Sequence, residues 1–263
     1  GDTVRMVCVI QARMGSTRLA GKVLADIAGR PMLAHVIERA QRIAAVDEVV
    51  VATTTLEEDE AVQAAARRFG AETFAGSLDD VLDRYYMAAK RFRADAVMRV
   101  TADCPLLDPE VGDRVVSFYG HGQVDYCSNV LPATYPDGVN IEIIGFPALE
   151  RTWQVASIPS DREHVTTYIR TNPGEFSVIN VESSEDLSDM RWTVDSPADL
   201  EFIRKVFQHL GSGDGEISGV GDVLKVLDAH PELSLLNASH RRNEGWDRSK
   251  AADAEPDSDG ISD

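Results

Sequence analysis

The sequence lacks several features that mark secreted, membrane and zinc-cluster proteins. Its 263 residues include only three cysteines (Cys8, Cys104 and Cys127), an odd number without C-x-x-C spacing. This pattern argues against a disulfide framework or a structural zinc site and indicates a reducing compartment. Apolar runs reach only about seven residues, too short to span a bilayer. The polar residues 1–5 contain no signal-peptide core. We therefore expect a soluble, cytoplasmic protein.

Positive charge is also scarce. With 26 basic and 44 acidic residues the formal net charge is −18, which argues against nonspecific binding to nucleic acid or to an anionic membrane. Residues 13–24 are an exception, because they hold Arg13, Arg18 and Lys22 and no acid. A small positive island on an acidic protein favours a site for a small anion.

Strand and helix patterns alternate in the first half of the chain. Buried strands are predicted at 6–12, 48–53, 72–74 and 96–100, and helices at 31–43, 57–69 and 78–92. This order predicts an α/β fold, with a mostly parallel sheet flanked by helices.

The second half is less regular. The patterns predict a loop at 126–136, strands at 139–144, 176–181 and 191–194, and helices at 148–156, 163–171 and 197–210. Five glycines in 211–221 indicate a linker. One short helix is predicted at 222–230, so that residues 211–240 form a linker and a short C-terminal helix. Residues 241–263 have the composition of an acidic, disordered tail without a catalytic role.

The loop after the first strand carries the clearest chemistry. Gly15 permits a sharp turn and a close approach of the backbone to a ligand. Hydroxyl and cationic side chains follow it, namely Ser16, Thr17, Arg18 and Lys22. Open α/β sheets bind ligands at this position, so the loop predicts a phosphate site. It is not a P-loop, because Val23 replaces the hydroxyl residue; a surface loop that is basic by chance is the alternative.

Four segments resemble one enzyme family. The run VIQARMGSTRLAGKVL, followed by IAGRPMLAHVIERA, closely resembles the opening of the CMP-sugar-acid synthetases, which include the CMP-KDO and CMP-nonulosonate synthetases. GSLDDVLDRYYMAA (76–89), RVTADCPLLDP (99–109) and WTVDSPADLEFI (192–203) match further along, in the same order. The resemblance is closest to the cytidylyltransferase-like proteins of spore coat polysaccharide biosynthesis, and it covers roughly residues 5–210.

The resemblance implies a Rossmann-like nucleotidyltransferase (GT-A-like) fold over 1–210, with an acceptor and dimerisation insertion at 124–180. It implies a homodimeric, Mg²⁺-dependent enzyme that transfers CMP from CTP to a small acid and releases pyrophosphate. In this interpretation Arg13, Lys22 and Asp103 are catalytic. The nucleotide would be bound by Ala12, Arg13, Met14, Gly15, Ser16, Thr17, Arg18, Lys22, Thr53, Gly76, Ser77, Asp80, Thr101 and Asp103. Asp80 could instead begin a helix and pair with Arg84 at i,i+4.

Two aspartates follow predicted strands. Asp103 comes after the strand at 96–100 and Asp195 after the stretch at 191–194, so both can converge at one sheet edge. Mg²⁺ prefers one or two carboxylates, with substrate oxygens and water completing its coordination. The resemblance assigns metal binding to Asp103 and Asp195. Alternatively Asp195 caps the next helix, a role that Ser196 could also take.

Acceptor-binding residues are expected between 129 and 164. They are Asn129, Asn140, Glu142, Arg162 and His164. Asn140 stands where the resembling proteins often carry an acid, and the loss of that charge could favour a phosphonate such as phosphonoformate over a 3-deoxy-ulosonic or nonulosonic sugar acid. Arg162 and His164 suit an anionic acceptor, or they face solvent or a dimer partner.

Two other functions compete with cytidylyl transfer. A metal-dependent glycosyltransferase of related fold is expected to carry a D-x-D motif after a central strand, whereas the D-x-D at 257–259 lies in the tail. A non-catalytic nucleotide-binding paralogue would not need to retain Asp103 and Asp195 together with the basic loop.

Overall fold

The computed structural model describes residues 3–211, 215–239, 242 and 249–253. The strands found there are β1 (Met6–Gln11), β2 (Asp26–Ile27), β3 (Arg30–Pro31), β4 (Glu48–Thr54), β5 (Glu72–Gly76), β6 (Ala96–Thr101), β7 (Tyr126–Ser128), β8 (Glu142–Gly145) and β9 (Val178–Asn180). The named helices are α1 (Met32–Gln41), α2 (Glu60–Arg68), α3 (Val81–Arg91), α4 (Pro109–Tyr119), α5 (Phe146–Val155), α6 (Pro159–His164), α7 (Thr167–Thr171), α8 (Pro197–Leu210) and α9 (Val220–Ala229).

Seven strands form one sheet in the order β5-β4-β1-β6-β8-β7-β9, and β2 pairs with β3 apart from it. The pairs are parallel except those made by β8, which runs antiparallel to β6 and β7. The predicted mostly parallel α/β fold is confirmed. The carboxyl ends of β4, β1 and β6 therefore meet at one edge, where ligands bind in open α/β sheets.

Helices cover both faces of the sheet because the central strands are apolar on both sides. Along β1, Cys8 and Ile10 pack into one core cluster, and Val7 and Val9 pack into the other. All four side chains are fully buried, as the two-residue alternation of a strand requires. This rigid centre fixes the position of the loop that follows Gln11.

The structure differs from the sequence prediction in the second half. Helix α4 was not predicted; it begins at the Asp108 cap, with Pro109 in its first turn. The predicted loop at 126–136 begins instead with β7, a three-residue strand held between β8 and β9. The predicted helix at 163–171 is interrupted at Val165, whose φ is +60°. Strand β7 depends on long-range pairing and the helix break depends on one strained residue, which local periodicity does not report. The start of α4 at Asp108 and Pro109 was a local signal that the sequence interpretation did not use.

The predicted strand at 191–194 forms only an isolated bridge, between Asp137 and Arg191. Most of the predicted acidic tail at 241–263 lies outside the described residues; Arg242 and residues 249–253 are described and contact the main body. Among the helices that can be described, none combines the length and the apolar composition that crossing a bilayer requires.

Candidate active site

The basic loop after β1 is closed by its own backbone. Gly21 adopts a left-handed conformation (φ +69°), and its N–H donates to the carbonyl of Met14 at 2.8 Å. The Ser16 hydroxyl accepts from the Leu19 N–H at 3.3 Å. At Gly15, an added Cβ would lie 2.6 Å from Nη1 of Arg13. The glycine thus leaves room for the Arg13 guanidinium to lie across the loop.

A buried carboxylate fixes this loop to the neighbouring strand. Oδ1 of Asp59 accepts from the Met14 N–H at 2.7 Å, and Oδ2 accepts from the hydroxyl of Thr54, the last residue of β4. Asp59 is fully buried. Sequence reasoning missed this residue, because an acid just before a helix is normally interpreted as helix-end electrostatics.

Replacing Asp59 with alanine should weaken CTP binding by about tenfold, since the loop would lose the hydrogen-bond acceptor that sets its position. Asp59→Asn should stay near the wild-type affinity, because an amide oxygen still accepts from the Met14 N–H. Titration calorimetry with CTP on the folded variants measures this difference. Equal CTP affinities for the alanine variant and the wild type would contradict the assignment.

A cavity of about 230 Å³ opens beside the loop. It is lined by Gln11, Ala12, Arg13, Gly15, Ser16, Thr17, Arg18, Lys22, Val23, Thr101, Ala102, Asp103 and Asp195. Most of the predicted nucleotide-binding residues and both predicted metal ligands therefore surround one space. Three lining residues were not predicted, namely Gln11, the last residue of β1, Ala102, which directly follows β6, and Val23, the neighbour of Lys22.

Lys22 lies between the two aspartates of this cavity. Its ammonium nitrogen is 2.9 Å from Oδ1 of Asp195 and 3.5 Å from Oδ2 of Asp103. The Thr101 hydroxyl donates to Oδ1 of Asp103 at 2.6 Å. Two carboxylates, one cation and the basic loop thus meet at the carboxyl end of β6.

The pKa values of the three groups reflect this arrangement. Burial opposes the charged form of Lys22, but the carboxylates of Asp103 and Asp195 outweigh it and raise its pKa. Despite its burial, Asp103 has a lowered pKa because of the Lys22 charge and the Thr101 hydroxyl. Burial and the nearby Asp103 charge raise the pKa of Asp195. A further cation at the two carboxylates would relieve this repulsion.

Backbone contacts bring Asp195 to Asp103. The Val194 N–H donates to the Asp103 carbonyl at 2.9 Å. On the other side of the same stretch, the Trp192 N–H donates to the Asp137 carbonyl. Gly138, at φ +114°, makes this close packing possible, because a Cβ there would lie 2.6 Å from the carbonyl of Trp192. The stretch at 190–194 is thereby held between two loops.

Asp195 does not cap helix α8. Ser196 is the N-cap, and it forms a capping box with Asp199. Arg191 pairs with Asp199 at 3.0 Å and donates to Oδ2 of Asp195 at 3.1 Å. The Asp195 carboxylate is thus oriented from one side by Arg191 and faces Lys22 on the other.

The donor set fits a magnesium ion. Asp103 and Asp195 both reach one cation, the Lys22 ammonium, so their oxygens converge on one region. In the part of the chain that can be described, no group of three or more His, Cys, Asp or Glu side chains is arranged to hold a metal. Two carboxylates, completed by phosphate oxygens and water, are the set that Mg²⁺ prefers at such sites.

Five predicted nucleotide-binding residues do not line the cavity: Met14, Thr53, Gly76, Ser77 and Asp80. Thr53 is fully buried at the end of β4, with no hydrogen-bond partner for its hydroxyl among the described residues. The Ser77 hydroxyl accepts from the Asp80 N–H. Asp80 caps α3 and pairs with Arg162 at 2.9 Å, not with Arg84.

A second cavity of about 150 Å³ adjoins the first, with Thr101 lining both. Its lining consists of Arg99, Thr101, Val130, Asn140, Glu142, His164, Thr166, Arg170 and Arg242. Glu142 is buried and paired with Arg99 at 2.8 Å. Three of the predicted acceptor residues, Asn140, Glu142 and His164, therefore share this space. Burial lowers the pKa of His164, which favours its neutral form.

The structure places the other two predicted acceptor residues elsewhere. Asn129 is fully buried, and its amide bonds the backbone of Val139 and Ile141 at 2.8 and 2.9 Å. Arg162 is held by Asp80 and by the carbonyls of Trp153 and Ala156. Both side chains are used to fix loops. The sequence interpretation did not predict three arginines of this cavity: Arg99, Arg170 and Arg242. Arg99 could have been noticed, because a charged residue within the buried strand β6 indicates a polar partner or a ligand.

A family model and a relative aligned along almost its whole length match most of this chain. A cytidylyltransferase family model matches residues 7–216. The spore coat polysaccharide biosynthesis protein SpsF of Bacillus subtilis is 30% identical over 86% of this chain and 95% of its own length. A 3-deoxy-manno-octulosonate cytidylyltransferase of Geotalea daltonii is 40% identical over 43% of this chain and 44% of its own.

A solved structure is similar to most of this chain too. A cytidylyltransferase from Leptospira borgpetersenii superposes with a TM-score of 0.83 and 30% identity, covering 88% of this chain and 97% of that one. The matched span contains the basic loop, Asp103 and Asp195. The predicted relationship is confirmed: the chain is a nucleotidyltransferase and belongs to the cytidylyltransferase family.

Proposed function

We propose that this cytidylyltransferase transfers CMP from CTP to a small acidic acceptor in a Mg²⁺-dependent reaction that releases pyrophosphate. The observation that carries the proposal is the position of Lys22 between Asp103 and Asp195, at the end of the basic loop. Attack at the α-phosphorus builds negative charge on the phosphates, so the site needs positioned cations and no protein nucleophile.

The side chains divide this work. Arg13, Arg18 and Lys22 bring positive charge to the triphosphate, and the loop backbone with Ser16 and Thr17 supplies further donors. Asp103 and Asp195 would hold Mg²⁺, which when bound supplies additional positive charge at the phosphates. The hydrogen bonds from Thr101 to Asp103 and from Arg191 to Asp195 fix the two carboxylates before the substrate arrives.

The second cavity is the proposed acceptor site. It adjoins the first at Thr101, so an acceptor bound there is close to the nucleotide. Its lining is rich in arginine, which suits a carboxylate or a phosphonate. We propose a 3-deoxy-ulosonic or nonulosonic sugar acid or a small phosphonate such as phosphonoformate. Asn140 tests the choice: if Asn140→Asp leaves the preference among these acids unchanged, the missing acid is not the discriminating feature.

Assembly and location complete the proposal. In the 124–180 segment Val155, Ile158 and Val178 expose large apolar side chains, which supports a homodimer joined there. The three cysteines are buried and unpaired, in keeping with a cytoplasmic enzyme.

Thermal unfolding with CTP, UTP, ATP and GTP, each with and without Mg²⁺, tests the proposal. A ligand at about a hundred times its dissociation constant adds ~2.7 kcal/mol to the free energy of unfolding, which shifts the melting temperature measurably. We expect the largest rise with CTP and Mg²⁺, followed by pyrophosphate release in the presence of an acid acceptor. A shift with UTP in place of CTP would support the glycosyltransferase alternative, and no shift with any nucleotide would refute the proposal.

A further inference from the structure

The second cavity holds positive charge that its own acids do not balance. Glu142 is already engaged, since it accepts from Arg99 and from the Tyr126 hydroxyl. The other cations of the lining are Arg170 and Arg242. Within the described ranges, no carboxylate lies within ion-pair distance of either guanidinium. The cavity therefore presents two arginines that an anionic occupant would neutralise.

Arg242 is held in place by neutral groups. Its Nη1 donates to the Tyr135 carbonyl at 3.0 Å, and its Nη2 donates to Oδ1 of Asn140 at 2.9 Å. The amide of Asn140 is oriented by Asp137, which accepts from Nδ2 at 3.0 Å. The guanidinium is thus fixed at the cavity wall by hydrogen bonds to neutral groups. The carboxylates of Asp137 and Asp186 act on it electrostatically, but among the described residues neither is in ion-pair contact with it. An acid at position 140 would neutralise it.

The described C-terminal residues are seated beside the same cavity. The Ser249 hydroxyl lies 2.7 Å from Nε2 of His164, a residue of the cavity wall, and donates to Glu163 at 2.8 Å. The Asp253 carboxylate accepts from the backbone N–H of Ser160 at 3.2 Å. Arg242 is therefore one of several contacts between this segment and the acceptor side. The C-terminal partners in these contacts, Arg242, Ser249 and Asp253, lie beyond residue 216, where the family model ends.

We propose that Arg242, together with Arg170, binds the anionic group of the acceptor, so that the C-terminal segment determines acceptor specificity. This inference rests on the proposed function and names the residues that select its second substrate. A planar guanidinium with free N–H groups suits two oxygens of one carboxylate or phosphonate. The segment predicted from composition to be an inert tail thereby supplies a substrate-binding side chain.

The test compares full-length wild type, Arg242→Ala and Arg242→Lys, with Arg91→Ala as a control that removes an exposed arginine from the end of α3. Titration calorimetry uses two probes, 3-deoxy-manno-octulosonate and phosphonoformate, and initial rates of pyrophosphate release give the KM for each. We expect Arg242→Ala to weaken the binding of whichever probe the wild type accepts by about tenfold or more. The rise in melting temperature caused by CTP should stay unchanged, and Arg91→Ala should match the wild type throughout.

The outcomes separate the two proposals. If CTP raises the melting temperature but Arg242→Ala binds the acids as the wild type does, or if the wild type binds neither acid, the inference is wrong and the nucleotide site stands. If CTP gives no rise at all, the proposed function fails and this inference fails with it. Should Arg242→Ala melt below the assay temperature, Arg242→Lys decides. A lysine ammonium lacks the planar fork that donates to two oxygens of one carboxylate or phosphonate, so the affinity of Arg242→Lys for the acid must also fall.

Discussion

Replacing Asp103 with asparagine is expected to lower kcat by about 10²- to 10³-fold or more, the loss typical of removing one charged group that stabilises the transition state. The amide keeps the shape of the side chain and can still accept from the Thr101 hydroxyl. It removes the negative charge that faces Lys22 and that would hold Mg²⁺. Initial rates of pyrophosphate release at saturating CTP and acceptor measure the effect.

A matched control separates this loss from a general effect of removing an acid. Asp228 is exposed on helix α9, far along the chain from the site, and Asp228→Asn should retain full activity. Both variants should unfold near the wild-type temperature. Full turnover by Asp103→Asn would show that this carboxylate has no role in the reaction.

Replacing Gly138 with alanine should lower the free energy of unfolding by about 3 kcal/mol or more, because two costs combine. The residue has a φ of +114°, which L-residues rarely adopt, and the new Cβ would lie 2.6 Å from the carbonyl of Trp192. The backbone of Trp192 cannot move away easily, because its N–H donates a hydrogen bond to the Asp137 carbonyl. Urea unfolding followed by fluorescence measures the loss.

Gly29→Ala is the control for the backbone term alone. Gly29 also has a positive φ, of +85°, but no atom lies within 4 Å of an added Cβ. Its replacement should cost about 1–2 kcal/mol. If Gly138→Ala is no less stable than Gly29→Ala, the packing against Trp192 is not what requires the glycine. The surviving folded fraction of Gly138→Ala should also turn over more slowly, because the 190–194 stretch positions Asp195.

The sheet and the basic loop could be predicted from the sequence because residues adjacent in the chain carry the signal for both. Strands β1 and β4 are continuous apolar runs, which are typical of parallel strands buried on both faces, and parallel strands place their carboxyl ends together. The predicted strand before Asp195 forms only an isolated bridge, and backbone hydrogen bonds of Trp192 and Val194 bring Asp195 to Asp103 instead. The position of Asp103 at the sheet edge followed from the rule for parallel strands. The exact partner of each carboxylate did not, because the bonds from Thr101 and Arg191 depend on tertiary packing.

Other parts of the site have no local signal. Asp59 reaches back 45 residues to the Met14 N–H, and nothing near it in the sequence distinguishes it from a surface acid. Arg242 lies in a polar, acidic segment whose composition predicts disorder, yet it contacts Asn140 across 102 residues. The helix start at Asp80 was visible, but its ion pair with Arg162 was not.

The ion pair between Lys22 and Asp195 spans 173 residues of sequence, and this separation has a consequence for synthesis on the ribosome. Strands β5, β4, β1 and β6 are complete by Thr101, so the nascent chain has the residues for the nucleotide loop and its supporting strands early. Asp195 emerges about 5–20 s later at ordinary elongation rates. Until then a growing chain holds only half of its carboxylate pair. A nascent chain that ends before Asp195 lacks half of the proposed metal site, so we do not expect it to consume CTP.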